Sequence, residues 1–255
     1  MNSWRTAIAR TDETSIRIRG YDVTALMQQS TFAGLVFLLH KGRLPTAPEA
    51  KLIDALLIGV ADPGAGAPSC AASRLVASGN RQSLSAAVAA GVLAIGDEHG
   101  GAGESCMELI AAVLERARES TISIEDAARA IVEDMRRAGL RVPGIGHRRL
   151  TTDPRVEVLF TMARDAKVAG DGIVAARAIE TAVSEQVKPL PLNIDGALAA
   201  ILHDMEFPPP AGKLVFIVGR VAGLTAEVAE EHEREKPMRI RIPVEYDGAG
   251  PRDIT

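Results

Sequence analysis

A chain of 255 residues carries five polar side chains at places where its apolar pattern breaks: His99, His147, Asp195, Arg155 and Arg220. Two imidazoles and a carboxylate can move protons between heavy atoms, and two guanidiniums can grip carboxylates through paired N–H donors. His99 lies in "GDEHGGAGE" (96–104), where Gly100 and Gly101 let backbone or ligand approach the ring closely. A helix starting near Gly101–Ser105 would lower the proton affinity of that imidazole and offer N–H groups to an anion. A polar loop with a surface histidine fits the same residues. His147 lies in "PGIGHRR" (143–149), whose Gly144 and Gly146 bracket a tight turn that could carry a planar or phosphate-bearing group. A simple interhelical loop is the plainer alternative.

Arg155 follows Pro154 at a helix start, where a cation opposes the helix dipole. A local rule broken in this way is a mild pointer to a site. In "LNIDGAL", either Asn193 caps a helix and Asp195 merely sits in its first turn, or Asp195 is held in apolar surroundings. The second arrangement raises its proton affinity toward what a general base needs. Arg220, in "FIVGRVAGL", stands in an apolar helical stretch and must pair with an acid or bind an anionic ligand. Together the five could handle a polycarboxylate. His40 and His203 fall on apolar helix segments and read as structural, and His232 falls in the solvated run "EEHEREK".

The elements that must position these residues are helices. Val23, Leu26, Met27, Leu35, Val36 and Leu39 recur at helical spacing, with Gly42 and Pro45 as stops. Thr46 and Glu49 have the spacing of a capping box before an apolar run from Leu52 to Val60. That run breaks in the Gly/Pro cluster between Pro63 and Pro68. The stretch 80–95 is almost uniformly apolar, which predicts a helix buried on most sides. Two amphipathic helices follow, the second capped by Ser123 and stopped at Gly139. Further helices are predicted at about 154–168, 171–187, 193–206 and 211–234, and the Pro- and Gly-spaced tail could hold a short strand. The fold class is all-α.

Apolar residues make up 47% of the chain but aromatic ones only 3%, so the core must be Ala, Leu, Val and Ile, which suits close-packed helices. A net charge of −4 with both signs interspersed gives no basic field for nucleic acid. Cys70 and Cys106 make no disulfide framework and lack ligand spacing, so no metal is expected and a reducing compartment fits. No apolar run reaches the roughly 18 residues a bilayer span needs, and the first 20 residues lack a secretory core. The expectation is a soluble, cytoplasmic protein with no membrane partner.

"GDEHGGAGE", "PGIGHRRLTTDPR", "LNIDGAL" and "FIVGRVAGL" resemble, in that order, the signature segments of the citrate synthase superfamily. "IRIRGYDVTAL" with "GRLPT" resembles its N-terminal segment, so the similarity runs from about Ile16 to Pro237. The short length and "AAVAAGVLAIGDEHGGA" are similar to the citryl-CoA lyase branch and to the lyase module of ATP citrate lyase. The resemblance implies a citrate synthase-like multi-helical fold: a large domain of residues 1–97 plus 205–255, a small domain of 98–204, and a cleft between them. It also implies a homodimer acting on a CoA thioester and a di- or tricarboxylate or keto acid, with no tightly bound cofactor.

Carried over by residue, the resemblance gives His99 the hydrogen bond that stabilises the enol of acetyl-CoA. His147 exchanges a proton with the substrate's carbonyl or hydroxyl oxygen, and Asp195 moves the proton at the acetyl carbon. Arg155 and Arg220 grip carboxylates, with Phe216 one turn before Arg220. The loop Val142, Pro143, Gly144, Ile145 and Gly146 takes the adenine end of coenzyme A, and Lys188 faces the phosphates. Two positions depart from the family pattern. Pro63 stands where the family usually has a histidine, and Lys236, before Pro237, replaces an arginine that reaches the neighbouring subunit's site. Proline donates no hydrogen bond, and lysine lacks the guanidinium fork. Both departures lie on the side of the four-carbon acid. The implied reaction is reversible cleavage of citryl-CoA, or a related 3-hydroxyacyl-CoA, to acetyl-CoA and a keto acid. A short citrate or 2-methylcitrate synthase is the nearest alternative. A non-catalytic acyl-CoA or citrate-binding protein would not need His99, His147 and Asp195 together.

Overall fold

Side-chain caps decide where most of the helices begin. In this computed structural model, which describes residues 3–253, Asp22 caps α1 (Val23–Gln29) and Thr31 caps α2 (Phe32–Lys41). The apolar spacing runs on through Ser30 and Thr31, but the hydroxyl of Thr31 accepts from the Gly34 N–H at 3.0 Å and restarts the helix. The capping box of α3 (Ala47–Ala61) forms as expected. Glu49 Oε2 accepts from the Thr46 N–H at 2.7 Å, and Leu52, Ile53, Leu56, Leu57 and Val60 are buried behind it. Each such side chain contributes roughly 1.5–3 kcal/mol on burial.

The next two helices correct the sequence reading. The Gly/Pro cluster ends directly in α4 (Pro68–Gly79), whose buried face is Ser69, Cys70, Ser73, Ala77 and Ser78. Too few large apolar residues mark that face for periodicity to reveal it. The apolar helix α5 (Leu84–Leu93) is not buried on most sides: only Ala87 and Gly91 are buried, and Leu84 and Leu93 are 58% and 84% exposed. It packs on α4 and α11, and among the described residues its outer face stays exposed.

The remaining helices are α6 (Ala102–Ser120), α7 (Ile124–Arg137), α8 (Pro154–Asp165), α9 (Asp171–Gln186), α10 (Ile194–Asp204) and α11 (Pro210–Arg234). The deepest is α10, fully buried from Ala197 to Leu202 and packed on α6, α8 and α9. The longest is α11, about 37 Å by its residue count, which packs on α3, α4, α5 and α6. Near their N-termini α6 and α11 touch backbone to backbone. A Cβ on Gly103 would lie 2.9 Å from the Gly212 carbonyl oxygen, and one on Gly212 would lie 2.5 Å from the Gly103 carbonyl carbon.

Where α4 meets α11 the packing is ionic. Arg74 bridges Glu227 at 2.5 Å and the fully buried Glu231 at 3.0 Å, and Arg239 returns from the tail to Glu231. Each buried acid therefore has a guanidinium partner, without which it would be costly to bury. Among the described residues no strand forms in the tail. The Met238 N–H goes instead to the Ser78 carbonyl of α4 at 3.0 Å. A small antiparallel sheet appears instead at the N-terminus, β1 (Ala9–Thr11), β2 (Ile16–Ile18) and β3 (Tyr21–Asp22), in that order. His232 is half-buried rather than solvated, with Nε2 3.2 Å from the Ala77 carbonyl. Among the described residues no helix is long and apolar enough to cross a membrane.

Candidate active site

The chain between α5 and α6 makes a tight reversal that presents His99. Gly96 and His99 exchange both backbone hydrogen bonds, at 2.9 and 3.0 Å. Gly100, at φ +73, then turns the chain into α6. Only glycine fits there, because a Cβ would meet Phe216 Cε1 at 2.5 Å. Phe216 carries the Arg220 guanidinium over its ring at 4.6 Å, one turn along α11.

Three residues from three helices or their approaches then form a relay. Arg220 Nη1 donates to Ser69 Oγ at 3.0 Å, and Arg220 Nε donates to the Val60 carbonyl at 2.9 Å. With its oxygen accepting from the guanidinium, Ser69 has its hydroxyl proton free for His99 Nε2, 2.9 Å away, which also accepts the Ser69 N–H at 3.2 Å. The network therefore assigns the ring proton to Nδ1, as an unspent donor. Burial, then the charges of Arg220 and Arg148, hold His99 below the usual imidazole value, so the ring is neutral at pH 7. Arg220 makes no ion pair with any described acid; its partners are a hydroxyl, a carbonyl and a ring. That leaves the Nη2 edge for an anionic ligand.

Asp195 satisfies both readings of its segment. Asn193 caps α10, accepting from the N–H groups of Asp195 and Gly196 at 2.9 and 3.1 Å. Meanwhile Asp195 Oδ1 is enclosed without a hydrogen-bond partner. Burial pushes this carboxyl up to about 6, against the pull of Arg220 and Arg155 and with help from Asp153. Beneath it lies Cys106, buried and pushed up to about 12 by burial and by Asp195. It remains a thiol.

The loop 142–146 is pinned to the start of α10. Asn193 N–H donates to the Gly144 carbonyl at 3.0 Å, Asn193 Nδ2 donates to the Gly146 carbonyl at 2.7 Å, and Gly146 N–H donates to the Pro191 carbonyl at 2.7 Å. His147 follows on an exposed turn. Its Nδ1 accepts from the N–H groups of Arg149 and Leu150 at 3.1 and 2.9 Å, so the neutral ring presents Nε2–H outward.

The misplaced cation at the start of α8 is explained by Asp153, the buried N-cap. It takes Arg155 Nε and Nη2 at 2.8 and 2.7 Å, and Arg155 Nη1 donates to the Gly59 carbonyl of α3 at 2.9 Å. Burial raises the Asp153 carboxyl, but Arg155 outweighs it, and with a smaller contribution from His147 holds it below its usual range. Asp153 also accepts the Ile194 N–H at 3.2 Å, one residue before Asp195. Arg155 is thus bound into the scaffold under Asp195 rather than extended toward a ligand.

The structure therefore gathers His99, Phe216 and Arg220 around Ser69, and sets Asp195 among the charges of Arg220, Arg155 and Asp153. It leaves His147 on its exposed turn, and three further expected positions lie outside that cluster. Lys188 is exposed beyond α9, Pro63 is exposed in the loop between α3 and α4, and Lys236 is exposed past α11. From Arg220 to the end of α11 is about 21 Å, so Lys236 cannot serve the site of its own chain. Ser69 and Asp153 were missed in the sequence. Their only signals were a serine right after Pro68 and the aspartate that opens "DPR". The fold also brings together donor atoms of Asp62, Cys70 and Glu227, within 4.8 Å of one another, which spacing did not show. Glu227 is already paired with Arg74, and burial holds the Cys70 thiol protonated.

This is a helical site in which a neutral imidazole donor, an enclosed carboxylate and a guanidinium converge, and the chain belongs to the citrate synthase family. The family described as "Citrate synthase, C-terminal domain" matches residues 46–241. Within that family the chain is similar to the citryl-CoA lyase of Hydrogenobacter thermophilus, with 38% identity and a TM-score of 0.88 over 100% of this chain and 98% of that one. Methanosaeta concilii ATP citrate lyase, solved with (3S)-citryl-CoA, shares the fold at 19% identity and a TM-score of 0.78 over 97% of this chain and 42% of that one. The citrate synthase of Haloferax volcanii is 29% identical over 88% of this chain, which spans 56% of that relative's length.

Proposed function

We propose that the chain is a CoA-thioester carbon–carbon lyase that cleaves citryl-CoA, or a related 3-hydroxyacyl-CoA, reversibly to acetyl-CoA and oxaloacetate or another keto acid. The observation that carries this reading is the relay from Arg220 through Ser69 to His99, which leaves Nδ1–H as a donor for a thioester oxygen. In cleavage, His147 takes the substrate hydroxyl proton and the carbon–carbon bond breaks. Its electron pair moves onto the thioester as an enolate, whose oxygen accepts from His99, where charge stabilisation usually gives the largest gain. Asp195 returns a proton to the new methyl carbon, and a keto acid is left behind. Arg220 grips a carboxylate through its free edge while Arg155, anchored by Asp153, adds positive field. The loop 142–146 receives the adenine end of coenzyme A, and Lys188 meets the phosphates.

Domain closure fits this chemistry, with residues 1–97 plus 205–255 facing residues 98–204 across the site and water shed between them. The protein acts as a homodimer, in which the open apolar face of α5 meets a second copy and Lys236 serves the neighbouring site. Leu93→Glu is expected to yield a monomer in light scattering and to lower turnover. A dimer that survives this change would remove α5 from the interface.

A synthase reading draws support from His147. Its Nδ1 is occupied by two N–H groups, so the ring is set to donate to a keto oxygen, the step needed in condensation. In cleavage the same ring must release those two contacts before Nε2 can take the hydroxyl proton. Incubation with citryl-CoA followed by product analysis separates the readings. Acetyl-CoA plus oxaloacetate supports the lyase, citrate plus free coenzyme A supports a synthase, and no turnover rejects both.

A further inference from the structure

The last turn of α3 holds two guanidiniums that serve opposite sides of the site. A helix ends with its final carbonyls unpaired and with the negative end of its dipole. In α3 that turn, Ile58 to Ala61, carries no basic side chain of its own. The Gly59 carbonyl instead accepts from Arg155 Nη1, and the Val60 carbonyl from Arg220 Nε, each at 2.9 Å. From Val60 the contacts run through Arg220 to Ser69 and His99. From Gly59 they run through Arg155 to Asp153, a carboxylate only 1% exposed, and on to the Ile194 N–H at 3.2 Å, one residue before Asp195. His99 and Asp195 are therefore both referenced to consecutive carbonyls of one helix end.

Asp153 is the point on which the second path depends. Its Oδ1 accepts the Arg155 backbone N–H and Nε at 3.1 and 2.8 Å, and its Oδ2 accepts Arg155 Nη2 and the Ile194 N–H. One carboxylate thus joins the starts of α8 and α10 to the end of α3. The fit is close, since a Cβ on Gly59 would stand 3.1 Å from Ile194 Cδ1. Capping α8 needs only the Arg155 N–H, and α10 has its own cap in Asn193. The guanidinium fork and the Ile194 contact exceed what either helix needs to begin.

We propose that Asp153 is a positioning residue that holds the Asp195 carboxylate in register with the His99 donor, through Arg155 and the last turn of α3. The inference rests on the lyase reading for what those two groups do, but the register itself needs no substrate. Charge follows the same path. Asp195 stands at about 6 because burial outweighs the pull of Arg220 from α11 and then Arg155 from α8, and Asp153 adds to the rise. The Cys106 thiol of α6 also lies near it. With Asp153 as its partner the Arg155 charge is balanced; without it, Arg155 would draw the proton off Asp195.

The test compares Asp153→Asn with Asp204→Asn. Asp204 accepts the N–H groups of Gly170, Gly172 and Ile173 at 2.8, 2.7 and 3.2 Å, so it too joins two helices, but about 14 Å along α10 from Asp195. Asp153→Asn keeps an oxygen for the Arg155 N–H and loses the charge and the Ile194 contact. Its kcat for citryl-CoA cleavage is expected to fall roughly 10- to 100-fold, with KM moved far less. Asp204→Asn should lose stability in denaturant and stay within about twofold in kcat. Carbon-13 NMR of aspartate-labelled protein reads the Asp195 carboxyl directly, assigned by its loss in Asp195→Asn. Its midpoint should move down by roughly one pH unit in Asp153→Asn, stay in place in Asp204→Asn, and return to about 6 in Asp153→Asn/Arg155→Gln, where both charges are gone. General loosening of the fold would not give that return. An unmoved midpoint in Asp153→Asn, or an equal loss of kcat in Asp204→Asn, overturns the proposal. If the unaltered chain turns over no citryl-CoA, the lyase reading fails and the midpoints alone decide the role of Asp153. If Asp153→Asn does not fold, Ile194→Pro takes its place, because proline is accepted at a first helical position and removes the N–H that Asp153 binds. It should lower kcat up to roughly tenfold and move the Asp195 midpoint; if both stay as they are, the proposal is overturned.

Discussion

Asp195→Asn is expected to lower turnover of citryl-CoA by roughly 10²- to 10⁴-fold, and to make the folded chain more stable above pH 6. Both effects come from the same enclosure. The Asn193 cap binds the N–H groups of Asp195 and Gly196 and does not use the Asp195 side chain, so α10 should start normally in the variant. What is lost is the proton carrier. The carboxyl stands at about 6 in the folded chain against an ordinary 3.8, so the native state binds the proton more tightly than the unfolded state. Stability therefore falls as pH rises from about 4 to about 6, by up to about 3 kcal/mol. An amide does not ionise, so the variant should escape that loss and match the unaltered chain near pH 4. Denaturant titrations at pH 4 and 7.5 measure the difference, and equal stability at both would contradict the enclosure. Cleavage needs Asp195 protonated and condensation needs it ionised. In the unaltered chain kcat/KM for cleavage should therefore fall, and that for condensation rise, as pH passes through about 6. The asparagine variant should show neither limb.

His99→Ala should cost roughly 10²- to 10³-fold in kcat, the usual effect of removing an oxyanion donor. The ring's role is set by what lies behind it. Arg220 fixes Ser69, Ser69 fixes Nε2, and Nδ1–H is left for the substrate. Ser69→Ala keeps the ring but removes one of the two donors that specify its tautomer, so a smaller loss, up to roughly tenfold, is expected. Rapid-quench kinetics that isolate the chemical step, run on both variants, would check this order. Undiminished cleavage by His99→Ala would be fatal to the proposed mechanism.

The helices from Pro154 to Arg234 were legible because apolar spacing, proline starts and glycine or proline stops agree there, and the observed bounds lie within a few residues of expectation. Legibility failed where packing used small or charged residues. The α4–α11 contact is serine, cysteine and ion pairs, which carry no hydrophobic period. The outer face of α5 looks like core in the sequence, but among the described residues nothing covers it. The site was legible as an ordered set of segments, and His99, Asp195, Phe216 and Arg220 do converge. The supports were not. Ser69 and Asp153 act through hydrogen bonds across 30 and 41 residues of sequence, and no local pattern announces such partners. Arg155 shows the limit most clearly, because its awkward place at a helix start marked structural anchoring as much as ligand binding.

The meeting of Gly103 with Gly212 also governs how chains of this kind can diversify. With main chain against main chain, neither position tolerates even a methyl group, so α6 and α11, which flank His99 and carry Arg220, cannot drift apart by gradual substitution. The segment from Asp62 to Ala67 has the opposite character: it is solvent-facing, and Gly64 and Gly66 have open space around them. Heritable change is therefore expected to collect in that loop, around Pro63, rather than where α6 meets α11.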